Sequence, residues 1–317
     1  MKPPYDITPE ILNLITSVSQ KIGEANALYL NKQSPQLRKQ NQIKTIHSSL
    51  QIEGNTLSEE QITALVENKR VLGPEKDIKE VLNAIAVYDR LEKFKATSEK
   101  DFLKAHKMLM EGLVEKPGSY RNRGVGIVKG SQIAHLAPPA GNVIYLMKDL
   151  FAYLKDKREL TLIKSCVFHY EMEFIHPFMD GNGRMGRLWQ TVILMEEYPV
   201  FGHLPFETLI SKTQAEYYDA LSISDKSGKS TAFITYMLGV INDSLAGLLR
   251  YNNRTLTDTE RLQYFIQSGM KVFTRKDYMN TFKDISSATA SRDLKKGIEL
   301  ELFTTSGNGN QTRYHLP

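Results

Sequence analysis

Apolar side chains recur every three or four residues along most of this 317-residue chain, which is the pattern of amphipathic helices. The clearest run precedes residue 176, and its apolar positions are spaced by four, three and four: Ile163, Val167, Tyr170 and Phe174. A second apolar run follows at Leu188, Val192 and Met195. Pro177 fits poorly inside a helix, so the first helix should end near His176. The two runs therefore predict a helix, a tight loop and another helix.

The N-terminal region, residues 1–95, is predicted to contain helices only. Thr8-Pro9-Glu10 is a favourable helix start, because a capping residue precedes a proline. A second helix over about 40–53 should stop at Gly54-Asn55, since glycine readily adopts the conformation of a helix end. A longer helix is predicted over about 75–95.

The central region, residues 96–249, is predicted to be a helical bundle interrupted by a β-hairpin. The first helix carries an apolar face that includes a packed histidine: Phe102, Ala105, His106, Leu109 and Met110. This helix should end at the turn over 116–121. Apolar segments on both sides of residues 129–132 predict the hairpin over 125–136. Later helices are predicted over 143–154, 207–221 and 233–249, with a loop at 225–230.

The C-terminal region, residues 250–317, is predicted to be a small α+β domain. Residues 251–254 are polar and read as a linker. Three short helices are predicted over 257–267, 274–282 and 286–296, followed by a hairpin with strands at 300–304 and 312–316 and a turn at 306–310. The fold class is therefore mainly α, with three domains.

Composition places the chain among ordinary globular proteins. The hydrophobic content of 41% allows a sizeable core, and a net charge of +5 permits nucleic-acid binding without favouring it. The single cysteine, Cys166, excludes a disulfide framework and agrees with a reducing compartment. The N-terminus has no apolar signal core, and no run reaches the roughly 18 apolar residues of a membrane span. We therefore expect a cytoplasmic protein with no membrane partner.

Residues 176–187, which read HPFMDGNGRMGR, contain the side chains best suited to ligand binding and catalysis. The glycines and the start of the next helix predict an anion site, because backbone N–H groups and the positive end of the helix point to the same place. Arg184 and Arg187 lie three apart on its first turn, and guanidinium groups suit phosphate oxygens. Asp180 suits Mg²⁺ beside a polyphosphate, and His176 is the candidate general base. This set indicates transfer of a phosphate-containing group from a nucleotide.

Two other interpretations of nearby residues are weaker. Ser227-Gly228-Lys229-Ser230 has the tail of a P-loop, but Ile223 stands where the first glycine belongs, so a plain loop is predicted. His169, Glu173 and His176 share a helix face, and Glu173-x-x-His176 has the spacing of a di-iron site. Such a site needs a second Glu-x-x-His with further carboxylates, and we find no second copy.

Residues 176–187 resemble the signature of the Fic family, His-Pro-Phe-x-Asp/Glu-Gly-Asn-Gly-Arg-x-x-Arg, at every fixed position. Most Fic proteins transfer AMP from ATP to a hydroxyl side chain of a target protein, so the resemblance implies a Mg²⁺- and ATP-dependent protein adenylyltransferase. It also implies that His176 deprotonates the target hydroxyl, that Asp180 holds Mg²⁺ and that Phe178 is a buried anchor. Nucleotide contacts are implied for the whole loop and helix start: Gly181, Asn182, Gly183, Arg184, Met185, Gly186 and Arg187.

The end of the second predicted helix resembles the inhibitory motif of the family, Ser/Thr-x-x-x-Glu-Gly/Asn. Ser49 and Glu53 occupy its fixed positions, as in the class where the motif precedes the Fic core. The resemblance implies that Glu53 pairs with Arg187 in the place of the γ-phosphate. ATP would then bind only in an unproductive pose, and residues 1–57 would be partly regulatory.

Further features gain a meaning from the same resemblance. The turn over 116–121 matches the Pro-Gly-x-Tyr/Phe-Arg turn of the family, and the hairpin over 125–136 corresponds to the flap that clamps a target segment by strand addition. Tyr218 is a candidate adenine contact, and a role as a core aromatic is equally open. The element order over 250–317 resembles a winged helix with a recognition helix starting at 287–294, which would contact DNA or mediate dimerisation.

Two functions from different classes follow. The first is a protein adenylyltransferase inhibited by Glu53, with self-modification as a further expectation. The second is a DNA-binding transcriptional regulator whose Fic core only senses nucleotide, and the intact signature argues against it because a sensor would not need His176. Within the first, removal of AMP from a target and transfer of another phosphate-containing group stay open.

Overall fold

The computed structural model describes residues 2–29, 35–129, 132–255, 257–267, 270–282, 285–307 and 312–316. Helices dominate, and the strands form one two-stranded hairpin and one three-stranded sheet, so the predicted mainly α class is confirmed. The chain divides into two compact units, Met1–Ser244 and Leu245–Pro317. Parts of both predicted hairpin turns, residues 130–131 and 308–310, lie outside the described residues.

The first unit begins with a set of helices that precede the core. They are α1 (Pro9–Tyr29), α2 (Pro35–Ile52), α3 (Glu59–Val66), α4 (Glu75–Tyr88) and a 3-10 turn (Leu91–Lys93). The start of α3 is fixed by a capping box, in which Ser58 and Gln61 exchange side-chain and backbone hydrogen bonds. Gly54 follows α2 with a φ of 90°, a conformation that glycine adopts without steric cost. The single helix predicted over 75–95 is wrong, because Arg90 at φ −117° leaves the helical region.

The central helices enclose an aromatic core. They are α5 (Glu99–Leu109), α6 (Ala140–Leu154), α7 (Thr161–Ile175) and α8 (Asn182–Met195). The Phe102 ring contacts the rings of Phe168, Phe178 and Trp189 at centroid distances of 5.1–6.0 Å, and all four side chains are buried. Such aromatic contacts add about 0.5–1.5 kcal/mol each beyond the area that they bury. The loop between α7 and α8 is therefore anchored to the core through Phe178, as expected.

Two features of this region concern helix ends and close packing. α5 ends at Leu109 and not at the turn over 116–121, because Met110 and then Gly112, at φ 71°, leave the helical conformation. α8 lies against α7 at Gly186, where a Cβ atom would collide with the His169 ring and the Glu173 carboxylate. Glycine is thus required at position 186 for packing.

The predicted hairpin is present as β1 (Gly126–Lys129) and β2 (Gln132–Leu136). The two strands are antiparallel, Gly126 lies opposite Leu136, and the register shifts between residues 127 and 128. The shift marks an irregularity of the β-bulge type, which increases local twist. The role of this hairpin as a target-binding flap stays a prediction.

The helices after α8 differ from the expected ones. The helix predicted over 207–221 is broken into α9 (Glu207–Lys212) and α10 (Gln214–Ser227), because Thr213 takes a non-helical ψ of 40°. α10 also covers the first part of the loop predicted at 225–230 and ends where Gly228 caps it at φ 65°. The linker predicted at 251–254 is wrong too, since α11 (Thr231–Thr255) runs through it. No glycine or proline interrupts those residues, so the backbone ladder continues after the apolar pattern stops.

One stretch within the described residues, Thr231–Arg250, is long and apolar enough to cross a membrane by length and composition alone. No segment of this length and apolarity was predicted from the sequence. Its apolar side chains in the first unit are buried in the protein: Phe233, Ile234, Met237, Leu238 and Ile241. A core helix has this same composition, so its apolarity is accounted for by packing.

The second unit contains α12 (Asp258–Gln267), α13 (Arg275–Thr281) and α14 (Ser287–Glu299), close to the predicted helices. Its strands are β3 (Val272–Phe273), β4 (Thr304–Ser306) and β5 (Arg313–His315), in the order β3-β5-β4, all antiparallel. β3 was not expected, because two residues are too few to show an alternating pattern. A groove lined by Arg275, Lys276 and Lys295, with no carboxylate among its lining residues, lies along α13 and α14. The winged-helix assignment and a DNA or dimer contact stay predictions.

Candidate active site

The site begins where α7 ends. His176 caps α7 in the left-handed conformation, at φ 50° and ψ 59°, and its N–H still donates to Met172 O at 2.9 Å. This conformation is uncommon for a residue with a side chain and costs free energy that the surroundings must offset. The Nδ1 of His176 lies 3.3 Å from Glu173 O, and a carbonyl can only accept, so this hydrogen bond places the proton on Nδ1. The neutral ring then carries its lone pair on Nε2.

Arg121 holds the strained end of α7 in place. Its Nε donates to His176 O at 2.7 Å, its Nη2 donates to Ile175 O at 3.3 Å, and its backbone N–H donates to Pro177 O at 2.8 Å. Burial lowers the pKa of Arg121. The Arg121 guanidinium donates to carbonyls at the C-terminus of α7, where a cation is favourable.

The loop between α7 and α8 is shaped by its own side chains. Asn182 Oδ1 accepts from Phe178 N–H at 2.9 Å, and Asn182 Nδ2 donates to Phe178 O at 3.0 Å. The side chain of Asn182 is buried, so its contribution is to the loop, and only its backbone can line an anion site. Gly181 turns the chain at φ 86°, where a Cβ atom would collide with Met110. These contacts fix the loop before any ligand binds.

His106 is a packed histidine, as expected. Its ring stacks on Phe178 at a centroid distance of 3.6 Å. Nδ1 accepts from Gly118 N–H at 2.8 Å, which leaves Nε2–H to donate to Asp180 O at 3.0 Å. Burial lowers the pKa of His106 to about 4, so the ring stays neutral and acts as a fixed brace under the loop.

The first arginine of the loop, Arg184, contacts two carboxylates. Nη2 donates to Asp180 Oδ1 and Nη1 donates to Glu80 Oε1, each at 2.9 Å. The Asp180 side chain is 51% exposed, whereas Glu80 and Arg184 are buried. Asp180 is thus accessible to a cation at the mouth of the site, and Glu80 lies behind the arginine.

The second arginine, Arg187, is completely buried and contacts the end of α2. Nε donates to Ser49 Oγ at 3.0 Å, and Nη2 donates to Ser49 O at 2.9 Å and to Glu53 Oε1 at 2.7 Å. Burial alone would lower the pKa of Arg187, but the neighbouring Glu53 carboxylate raises it above its ordinary value. The structure therefore brings together Ser49, Glu53 and Arg187, which the sequence places far apart.

The Glu53 carboxylate also lies against the glycine loop. A Cβ atom at Gly183 would collide with Glu53 Oε1 and would approach Arg187 Nη1 to 3.1 Å. Gly183 is at the start of α8, so the carboxylate stands at the positive end of this helix. An anionic side chain thus occupies the anion site that the loop was predicted to form.

The remaining predicted site residues divide between the core and the surface. Met185 is buried and Gly186 serves the helix packing described above. Tyr217 is buried and its hydroxyl lies 3.0 Å from His169 Nε2, whereas Tyr218 is 43% exposed and its ring lies 5.3 Å from that of Tyr217. Of this pair, Tyr218 is the one that can reach a ligand.

The alternative sites gain no support from the described residues. No group of three or more potential metal-ligating side chains is found there. His169 Nδ1 donates to Gln190 Oε1 at 2.7 Å, and burial lowers the pKa of His169 to about 3. Ser227-Gly228-Lys229-Ser230 forms the end of α10 and its cap.

Comparison with known proteins gives the family. Residues 96–194 match the model of the Fic/DOC family. The crystal structure of a Fic family protein from Desulfovibrio desulfuricans G20 is 40% identical, with a TM-score of 0.77 over 100% of this chain and 98% of that one. The chain therefore belongs to the Fic family. Fic-1 from Caenorhabditis elegans, at 21% identity and a TM-score of 0.64, shares the fold over 78% of this chain and 74% of that one.

Curated relatives carry the name protein adenylyltransferase. The protein of that name from Caenorhabditis elegans, fic-1, is 26% identical over 261 residues, which is 78% of this chain and 49% of that protein. The one from Aedes aegypti is 28% identical over 207 residues, 62% of this chain and 39% of that protein. The chain thus spans about half or less of the length of these relatives.

Three residues support the site in ways that the sequence did not indicate. Glu80 and Arg121 were not predicted as site residues, and His106 was predicted to be packed but not to brace the loop. Arg121 was seen only as part of a family turn, and its contacts are to backbone carbonyls, which leave no pattern in a sequence. Glu80 is one of many acidic residues on a helix. A buried position within its amphipathic pattern was the available signal, since a carboxylate on a buried face needs a partner.

Proposed function

We propose that this protein transfers AMP from ATP to a hydroxyl side chain of a target protein, and that Glu53 inhibits the transfer. One observation carries this proposal: the carboxylate of Glu53, just after the end of α2, occupies the anion site at the start of α8 and pairs with Arg187 at 2.7 Å. An acidic side chain in that position stands in for a phosphate. Membership of a family whose curated relatives are named adenylyltransferases supports the same reaction.

The backbone of the loop and the two arginines bind the nucleotide in this proposal. N–H groups at the start of α8 face the α- and β-phosphates, Arg184 contacts the β-phosphate, and Arg187 takes the γ-phosphate once Glu53 has left. Tyr218, which is 43% exposed, is the candidate contact for adenine. The donors are fixed before binding, because the loop is held by Asn182 and His106.

His176 is the general base. Its Nδ1–H is directed to Glu173 O, so Nε2 is the nitrogen that takes the proton of the target hydroxyl. The hydroxyl oxygen then attacks the α-phosphorus of ATP, the bond to the β-phosphate oxygen breaks, and pyrophosphate leaves. Arg121 keeps the imidazole in position through the His176 carbonyl.

Asp180 is the residue that fits Mg²⁺. Its carboxylate is 51% exposed at the mouth of the site and beside the proposed phosphate positions. A bound Mg²⁺ would neutralise charge on the phosphates and on the leaving pyrophosphate. The exposed carboxylate and the helix start are the features of this chain that suit such an ion.

The experiment is incubation of the protein with Mg²⁺ and ATP labelled separately at the α- and γ-phosphate. Label from the α-position alone means AMP transfer, including self-modification. Label from the γ-position alone means phosphate transfer and would refute the proposal. Intact mass distinguishes the two products independently, because an AMP adduct is much heavier than a phosphate.

A further inference from the structure

The segment that carries Glu53 is connected to both arginines of the site. Glu53 contacts Arg187 directly, as described above. Two residues later, Asn55 Nδ2 donates to Glu80 Oε2 at 2.9 Å, and the other oxygen of Glu80 accepts from Arg184 Nη1 at 2.9 Å. Asn55, Glu80 and Arg184 are all buried, so the chain of hydrogen bonds is shielded from water.

The two carboxylates on Arg184 differ in how easily they can be replaced. Asp180 is half exposed, and the oxygen that Arg184 contacts also accepts from Gly181 N–H at 2.6 Å, so the loop can hold this carboxylate at the surface when the arginine leaves it. Glu80 is buried on α4 and receives a second hydrogen bond from Asn55, so it remains in place. The Nη2 edge of Arg184 can therefore exchange Asp180 for a phosphate while the Nη1 edge stays on Glu80.

From this arrangement we propose that Glu80 is a positioning residue for nucleotide binding, which holds Arg184 towards the phosphates and limits how strongly it pairs with Asp180. The inference rests on the proposed function insofar as the ligand is Mg²⁺-ATP. Without the Glu80 charge, Asp180 is the remaining anionic partner of the buried guanidinium in the part of the chain that the structure describes. Arg184 would then pair more tightly with the carboxylate that has to bind Mg²⁺.

The test is Mg²⁺-ATP binding by titration calorimetry in the Glu53→Gly, His176→Ala background, so that the site is open and no transfer consumes the ATP. Glu80→Gln is expected to weaken ATP binding about tenfold, the effect of losing one charged hydrogen bond, and to raise the Mg²⁺ concentration needed for half-maximal ATP binding, because Asp180 is harder to release from Arg184. Circular dichroism checks that the variant is folded. Unchanged or tighter ATP binding with an unchanged Mg²⁺ requirement would overturn the inference.

Asp77→Asn is the matched control. Asp77 lies one turn earlier on α4 and also holds the segment after Glu53, through Thr56 N–H at 2.8 Å and Thr56 Oγ1 at 2.6 Å, but it contacts neither arginine. If Glu80 only ties this segment to α4, both variants will change binding equally, and the inference is wrong. A shift of the Mg²⁺ requirement in Glu80→Gln alone supports it.

A second variant keeps the inference testable if Glu80→Gln does not fold. Asn55→Ala removes one donor to Glu80 and leaves the ion pair with Arg184 intact, so it should shift the Mg²⁺ requirement in the same direction by a smaller factor. No shift would count against the inference. Because binding is measured without transfer, a Glu53→Gly parent that binds Mg²⁺-ATP but forms no AMP adduct would refute the proposed function and leave the role of Glu80 testable.

Discussion

The contact between Glu53 and Arg187 makes removal of the carboxylate the most decisive perturbation. Glu53→Gly leaves the Arg187 side chain with two acceptors, both on Ser49, and opens the space in front of Gly183. Glu53 lies just after the end of α2, which ends at Ile52, so glycine avoids most of the roughly 1 kcal/mol that it costs inside a helix. The fold should therefore survive the substitution.

The size of the effect follows from the hydrogen bond that is lost. The Glu53 side chain is 26% exposed and that of Arg187 is 1% exposed, so the pair is mostly shielded from solvent. A hydrogen bond to a charged group contributes about 1.5–3 kcal/mol. If ATP has to displace that contact to bind productively, its removal should raise the rate of AMP transfer by roughly 10- to 150-fold, at 1.4 kcal/mol per factor of ten.

The assay is intact mass of parent and variant after incubation with Mg²⁺-ATP, with AMP adduct as the readout. Arg187→Ala in the Glu53→Gly background should abolish the gain, because the two residues act as a unit. Gln51→Gly is the matched control, since Gln51 lies on the last turn of α2 and accepts from Ser211 Oγ at 2.9 Å without touching an arginine. Equal adduct in the parent and in Glu53→Gly would refute the inhibitory contact. Equal activation by Gln51→Gly would show that loose docking of α2, and not the carboxylate, is responsible.

Three further predictions concern the base, the metal ligand and a buried carboxyl group. His176→Ala should lower AMP transfer by roughly 10²–10⁴-fold while ATP affinity by calorimetry stays nearly constant; an unchanged transfer rate would exclude His176 as the base. Asp180→Ala should raise the Mg²⁺ concentration required for ATP binding, and an unchanged requirement would place the metal elsewhere. Burial raises the pKa of Glu207 to about 8, so the folded protein retains a proton that the unfolded chain releases above about pH 4.5. Its contribution to stability therefore falls as pH rises from about 5 to 8, and Glu207→Gln should raise the melting temperature more at pH 8 than at pH 5; a pH-independent difference would contradict the shift.

The local elements of the fold were largely predictable because their signals are local. The end of α7 before Pro177, the start of α1 at Pro9 and the hairpin over 125–136 follow from residues within a few positions. The wrong predictions concern helices whose observed ends do not match the local sequence pattern. α11 continues through the polar residues 251–254, and α9 and α10 separate at Thr213 although nothing in the sequence there breaks a helix.

The site was predictable only in part, because its residues come from distant parts of the chain. The signature over 176–187 contains the proposed base, the proposed anion loop and both arginines, and the family resemblance supplied Glu53. The supporting contacts were invisible: Arg121 binds backbone carbonyls, and the partner of Arg184 on α4 was one carboxylate among many. A sequence shows which charges are present, and only the packing shows which of them meet.

The two arginines are held in different ways, and this difference bears on how the protein would be switched. Among the described residues, the side-chain hydrogen bonds of Arg187 go to Ser49 and Glu53 alone, both at the end of α2. Those of Arg184 go to α4 and to its own loop. A small displacement of α2 would therefore free Arg187 for a phosphate while Arg184 stays in place. Gln214 Nε2 donates to Ile52 O at 3.0 Å and Ser211 Oγ donates to Gln51 Oε1 at 2.9 Å, so α9 and α10 both hold the end of α2, and a displacement of α2 that frees Arg187 would have to break these contacts.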